Sequence, residues 1–250
     1  MTEPSRLAQV SREMGRYKIH ILGLSETRWK GTGEHVTGNG DIFLYSGKNQ
    51  SEKHESGVGI LVSKQIRNSI IDWKPINDRI ITVRIQTQHK KVSIIQCYAP
   101  TEVAAVEDKD TFYDVLRATL DKIKRGDIIF LLGDFNSKVG CHNTNLEHVI
   151  GKHGLGMKND NGDRLIDLCS SHEMVIGGTL FPHKDIHKAT WRSPDHRTAN
   201  QIDHIAVSSR WRQTLLDVRS YRGADIASDH YLLISRIKLN TMRKLHVHKL

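Results

Sequence analysis

Four apolar runs in this sequence lead into or out of side chains that can move protons or hold ions, and a fifth begins just after such a pair. "ILGLSE" finishes at Glu26, "SIIQCYAP" delivers Tyr98, "IIFLLGDFN" delivers Asp134 and Asn136, and "NQIDHIAV" carries Asp203 and His204 just inside its start. Asp229 and His230 immediately precede "YLLISRIKL". Carboxylates, an amide, a phenol and an imidazole at the ends of rigid strands are groups that a scaffold can aim into one cleft. Along an extended strand, alternation puts Asp134 and Asn136 on the same side and turns Phe135 away into packing.

Taken singly, each residue also has a plain structural reading. An Asp at a strand end caps the next turn through its side chain, a lone Glu26 is a solvated carboxylate, and Tyr98 is a core aromatic with its hydroxyl satisfied. Asp203 can pair with an arginine such as Arg197, and His230 can be a packed ring. The order and joint occurrence of the motifs carry the chemistry, so the elements that hold them come next.

A first helix is predicted from about Pro4 to Tyr17, with Thr2 as its cap and Leu7, Val10, Met14 and Tyr17 on one face. "IHILGLSE", "DIFLYS" and "VGILVS" read as strands, and "RIITVRIQTQHKKVSIIQCYAP" reads as a hairpin around a polar turn. Phe112, Leu116, Leu120 and Ile123 recur at helical spacing over Asp108 to Lys124, and Gly126 stops that helix. The Ile128 to Leu132 strand follows, then a polar loop from Lys138 to Asn161 and a further helix from about Gly162 to His172. The last third reads as strands: "MVIGG", "KATWRS", "NQIDHIAVS", "TLLDVRSY" and "HYLLISRIKL". No linker or repeat interrupts this pattern. A single layered α/β sandwich over residues 1–240 is expected, with a basic tail at 241–250.

Composition narrows the function classes. A chain of 250 residues with 38% apolar content builds a sizeable core. The net charge of +9 suits a polyanionic partner as well as simple solubility. Cys97, Cys141 and Cys169 include no CxxC pair, which argues for a reducing compartment and against a structural zinc site. The opening residues carry no export signal and no apolar run approaches a membrane span, so an intracellular protein with no membrane partner is expected. On that reading Asn49-Gln50-Ser51 is an ordinary loop despite fitting a glycosylation pattern.

The series "LSET", "CYAPT", "GDFNSKVG", "NQIDHIAV" and "SDHYLL" resembles the endonuclease/exonuclease/phosphatase family of metal-dependent phosphodiesterases, over roughly Arg6 to Leu239. The wording "RLAQVSREMGRYKIHILGLSETRWKGTGE" is most similar to the branch of RTE-type non-LTR retrotransposon endonucleases and the craniofacial-development-protein-like genes that descend from them. The resemblance implies a four-layered sandwich of two packed mixed β-sheets flanked by helices, with the site at one edge.

It also implies a role for each residue. A phosphodiester repels its nucleophile, so hydrolysis needs a cation on the phosphate and a base for water. Mg2+, with Mn2+ as an alternative, would be held by Glu26 and, as a second ligand, Asp229. Asp134 would orient or deprotonate the attacking water, and Asn136 would hold the phosphate or that water. His230, with its tautomer set by Asp203, would bond a phosphate oxygen, and Tyr98 would contact the phosphate. His204 and Thr101 receive no role.

Members of the family typically begin with a strand carrying an Asn. Here only Met1 to Glu3 precede the first helix, so one sheet is expected to lack a strand and the site an amide ligand. Such a loss costs about ten- to a hundredfold in metal affinity or rate, by analogy with the loss of supporting groups around a metal. Arg28, Trp29, Arg192 and Arg197 are the candidates for phosphate and base contacts. The expected substrate is DNA, with RNA as a further polyanion, and a separate reverse transcriptase would be needed for any integration. The rival readings are a domesticated or truncated nucleic-acid-binding domain without turnover, and a phosphatase of small phosphate esters.

Overall fold

The computed structural model describes residues 4–48, 56–224, 226 and 228–239. The proposed Thr2 cap, the Asn49 to Ser51 loop and the 241–250 tail lie outside them. In chain order the main elements are α1 (Pro4–Arg16), β1 (Ile21–Ser25), β2 (Thr32–Val36), β3 (Ile42–Ser46), β4 (Val58–Val62), β5 (Ile70–Asn77), β6 (Ile80–Gln86), β7 (Lys91–Tyr98), α2 (Val106–Asp121) and β8 (Ile128–Asp134). They continue with α3 (Asp160–Ser171), β9 (Met174–Ile176), β10 (Trp191–Arg192), β11 (Ala199–Asn200), β12 (Asp203–Ser208), β13 (Leu215–Tyr221) and β14 (Leu232–Ile237).

Two sheets form the body. One is antiparallel, in the order β1-β4-β3-β2; the other is six-stranded, in the order β5-β6-β7-β8-β12-β9, with β7 and β8 its parallel pair. The β13–β14 and β10–β11 hairpins complete the strands. The core between the sheets contains Ile60, Val62, Val83, Ile94 and Phe130. A second core, with Phe112, Leu116, Leu165 and Leu168, seats α2 and α3 on the outer face of the larger sheet. Leu7, Val10 and Met14 seat α1 on Leu24, Phe43 and Leu61 of the smaller sheet. The helical spacing of these apolar residues is what lets each helix cover a sheet face.

Local chemistry explains where the sequence-based boundaries shift. The helix expected from Gly162 starts at Asp160, because the Asn159 side chain accepts the Gly162 backbone N–H at 2.9 Å and caps the first turn. Strands β2 and β5 were not expected. Among the residues of β2 only Gly33 is not exposed, and β5 contains Pro75 and has no buried residue, so neither shows the apolar alternation that marks a half-buried strand. Each lies at the edge of its sheet.

Among the described residues β1 pairs only with β4, and β14 only with β13. The free edges of β1 and β14 line one cavity of about 1730 Å³ that opens into the cleft holding the candidate site.

Candidate active site

Tyr98, Asp134 and Asp203 stand in one row across the larger sheet. Tyr98 is the parallel partner of Asp134 on β7, and Asp203 its antiparallel partner on β12. The row depends on Gly133: its φ is +147°, and a Cβ there would lie 2.0 Å from the Cys97 carbonyl oxygen.

Beyond Asp134 the strand stops. Asn136 has φ +49°, in the left-handed region that Asn tolerates better than most residues, and its backbone N–H donates to Asp134 Oδ1 at 2.9 Å. Strand alternation therefore does not set the relation of the two side chains; a turn does, and both line the cleft. Phe135 is buried as expected. The Asn136 amide donates to the Ala99 carbonyl at 3.1 Å, and its own backbone carbonyl accepts from the Asn159 and Asn161 amides. Sequence reasoning missed this support. Its one visible signal was the pair of asparagines in "NDNGDRL", which reads as a helix start.

His230 enters from the loop before β14. Its Nδ1 lies 2.9 Å from Asp203 Oδ2, and its Nε2 lies 3.9 Å from Asp134 Oδ2. Burial works against the charged ring, but the hydrogen bond and charge of Asp203, with Asp134 and Asp229, outweigh it and lift His230 to about 9. Burial pushes the Asp134 carboxyl up, and the nearby Asp203 adds to the rise. His230 and the Asn136 N–H pull the other way, leaving Asp134 near 7. A carboxylate poised near neutrality beside an imidazolium is an acid–base pair suited to proton transfer from water.

Glu26 completes the other wall. It follows β1 with φ +51°, and its Oε1 accepts from the Tyr98 hydroxyl at 2.7 Å. Its Oε2 lies 3.6 Å from Arg28. Burial and Glu26 together push the Tyr98 hydroxyl up, keeping it a donor. Arg79, not singled out from sequence, lies over the Tyr98 ring at 5.1 Å and donates to its backbone carbonyl at 3.1 Å.

The remaining candidates lie at different distances from this centre. Asp229 Oδ2 accepts the Trp191 indole N–H at 2.8 Å, and Trp191 bridges to His230, so both border the cleft. Arg192 donates to the His196 carbonyl, and Arg197 is exposed in the β10–β11 turn. Arg28 is exposed, whereas Trp29 packs on His35, Phe43 and Tyr45. His204 is buried with Nε2 2.8 Å from the Ser137 carbonyl oxygen, a structural position.

The ligand atoms of Asp134, Asp203 and His230 all lie within 4.8 Å of one another. His230 Nδ1 already contacts Asp203, and its Nε2 lies 3.9 Å from Asp134, so this trio is an acid–base set. The oxygen donors that suit a hard divalent cation are Glu26 and Asp229, facing the same cleft. Glu26, Asp134 and Asp229 border this cleft with Asp203, and the charges of Asp203 and Glu26 add to the burial that raises Asp134, which is itself a fit for a cation.

The sequence model of the "Endonuclease/Exonuclease/phosphatase family" matches residues 2–230. The chain belongs to the endonuclease/exonuclease/phosphatase family. Among curated relatives, craniofacial development protein 2 of Bos taurus is 39% identical over 236 residues, covering 94% of this chain and 39% of the relative. The counterpart from Tragulus javanicus is also 39% identical, with 40% of its length covered. The chain thus spans about two fifths of these relatives.

Solved structures share the family's fold. The endonuclease domain of TRAS1, a telomere-specific non-LTR retrotransposon, matches with a TM-score of 0.63 at 14% identity, over 94% of this chain and 92% of that one. An AP endonuclease from Archaeoglobus fulgidus gives 0.68 at 16% identity, over 95% and 96%. A variant of the 3' phosphatase NExo from Neisseria, bound to product DNA hairpin, gives 0.66 at 18%, over 94% and 95%. The sandwich of packed sheets flanked by helices is the fold these proteins have in common with this chain.

Proposed function

We propose that this member of a hydrolase family is a divalent-metal-dependent DNA endonuclease of retrotransposon ancestry. The observation that carries the reading is the Asp134, Asp203 and His230 set, in which a carboxylate near 7 and an imidazole lifted to about 9 face one small volume. Asp134 accepts the proton of the attacking water, and the Asn136 turn holds that carboxylate through its backbone N–H. Asp203 accepts the hydrogen bond of His230 Nδ1–H, leaving Nε2–H to donate to a non-bridging phosphate oxygen as its charge grows. Glu26 and Asp229 would hold the metal, with Glu26 oriented by the Tyr98 hydroxyl. When bound, Mg2+ or Mn2+ neutralises the phosphate and polarises it toward attack.

DNA is favoured as substrate by the net charge of +9 and by the exposed Arg28 and Arg197. That one structural neighbour holds a DNA hairpin supports the same choice.

Nicking of supercoiled plasmid with Mg2+ tests the proposal, with Asp134→Ala prepared alongside. Nicking that EDTA and the substitution both abolish supports a working nuclease. A folded chain that binds plasmid in a salt-sensitive way without nicking it is a binding domain. Release of phosphate from small esters without any nicking would instead identify a phosphatase.

A further inference from the structure

Lys138 borders the candidate site beyond Asn136, in a part of the cleft that the proposed reaction does not use. Its sequence neighbours Ser137 and Val139 are buried, whereas Lys138 is half-buried and lines the cleft. The turn that carries it is pinned from several sides. The Lys138 N–H donates to Asn159 Oδ1 at 2.8 Å, and the Asn159 N–H donates to the Lys138 carbonyl at 3.1 Å. The Ser137 carbonyl oxygen lies 2.8 Å from His204 Nε2. The first turn of α3 packs so closely on this segment that a Cβ at Gly162 would lie 2.0 Å from the Lys138 carbonyl oxygen.

Charge sets Lys138 apart from the other basic residues of the cleft. Among the described residues that line it, the remaining lysines and arginines are Lys18, Arg236 and Lys238. Lys18 precedes β1, and Arg236 and Lys238 stand at the end of β14. Glu26 follows β1 and His230 precedes β14, so those three cations belong to the end away from the site. The lysines around the Lys138 turn are already matched: Lys109 bonds Asp160 and the Glu102 carbonyl, and Lys158 pairs with Asp163. Glu102, which lines the same side of the cleft, accepts from the Asn159 amide and from the Asp160 and Asn161 N–H groups. Among the described residues Lys138 is in no ion pair.

An ammonium on a fixed turn, without a carboxylate of its own, is a point charge offered to whatever enters the cleft. Successive phosphates of a DNA strand follow one another at about 3.4 Å along the helix axis. A strand with one phosphate between Asp134 and His230 therefore carries its neighbouring phosphates along the walls, and the wall beyond Asn136 presents Lys138.

We propose that Lys138 binds the phosphodiester next to the one that is cleaved. The inference rests on the nuclease reading and deepens it, because an ester with a single phosphate has no second charge to offer the lysine. Lys138 would thus favour a polynucleotide strand over such an ester.

Lys138→Met and Lys138→Arg test this in the full chain, with urea unfolding to confirm that both fold like the parent. Binding of a short fluorescein-labelled duplex is read by anisotropy in EDTA over a series of salt concentrations, and nicking of the same duplex is mapped in Mg2+. Lys138→Met should bind several-fold more weakly, and its slope of log affinity against log salt should be shallower by about 0.9, the share of one phosphate contact. Lys138→Arg should keep the parent's slope. The loss of nicking in the methionine variant should fall on KM more than on kcat. Uncharged methylphosphonates placed one at a time beside the nicked position should slow the parent at an adjacent step and leave the methionine variant no slower there.

An unchanged salt slope, or a methylphosphonate effect that survives the substitution, would overturn the proposal. So would a change confined to the Mg2+ requirement, which would make the lysine a counter-charge to the carboxylates. The nuclease reading fails on a different result. A parent that binds duplex with the lysine-dependent slope but never nicks it supports the phosphate contact and removes the turnover, whereas a parent that binds no DNA overturns both.

Discussion

Asp134 and Asp203 face each other across the antiparallel pair β8–β12, and the two nitrogens of one ring, His230, address both. Nδ1 is held at 2.9 Å by Asp203, which leaves Nε2, 3.9 Å from Asp134, to act. The two carboxylates therefore differ in use although they are neighbours in one row. In the proposed reaction Asp203 sets the ring, and Asp134, whose Oδ2 lies 3.9 Å from Nε2, is left for the water.

Replacing Asp134 should separate activity from stability. Asp134→Asn is expected to lower plasmid nicking by about a hundredfold or more, the scale of a lost general base. In EDTA it should stabilise the fold, because a buried carboxyl raised from 3.8 to about 7 disfavours the folded state once it ionises. The wild type loses this stability as the pH rises from about 4 through 7, so the variant's advantage should be absent near pH 4 and reach on the order of 4 kcal/mol above pH 7. Urea unfolding at a series of pH values measures it; an advantage that does not grow with pH would contradict the assignment.

Asp203→Asn should keep the ring in place and remove the charge that lifts it. His230 is expected to titrate at about 9 in the parent and a unit or more lower in the variant, both read from its ring carbon signals by NMR. A raised imidazole contributes stability that is complete below about 6.5 and disappears as the pH climbs through about 9. The parent's stability should show that alkaline loss, and the variant should show little of it.

Tyr98→Phe removes the hydroxyl that donates to Glu26 but keeps the buried ring. The fold should lose only about 1–2 kcal/mol. The Mg2+ concentration for half-maximal nicking should rise about tenfold, since Glu26 loses its support. A metal requirement that does not move would detach Tyr98 from the cation.

Asn159→Ala should act on Asn136 from a distance. Besides capping α3, the Asn159 amide donates to Glu102 and to the Asn136 carbonyl, and its oxygen accepts from Lys138. A cap loss costs about 1 kcal/mol. Nicking at about 20 °C, where a loss of that size leaves the variant folded, should nevertheless fall several-fold as the turn loosens. If rate and stability instead change in step, the asparagine is a cap and nothing more.

Much of this molecule was legible in the chain. The apolar periodicity of Leu7, Val10 and Met14, the continuous apolar run from Ile128 to Leu132 before Asp134 and the Pro100 just after β7 are local facts, and local facts fix helices, strands and their ends. Those same ends carry Glu26, Tyr98, Asp134 and Asp203, so the inventory of the site came with the elements. Strands β2 and β5 were invisible because an exposed edge strand needs no apolar face. Only the tertiary structure decided register, and register turns an inventory into a row: Tyr98, Asp134 and Asp203 align because β7 runs parallel and β12 antiparallel to β8. It also decided that a left-handed turn, with Asn159 and Asn161 behind it, holds Asn136, and that the edges of β1 and β14 share one cleft. Each of these relations joins residues distant in sequence, and periodicity along a chain carries no information about which distant segments will pair.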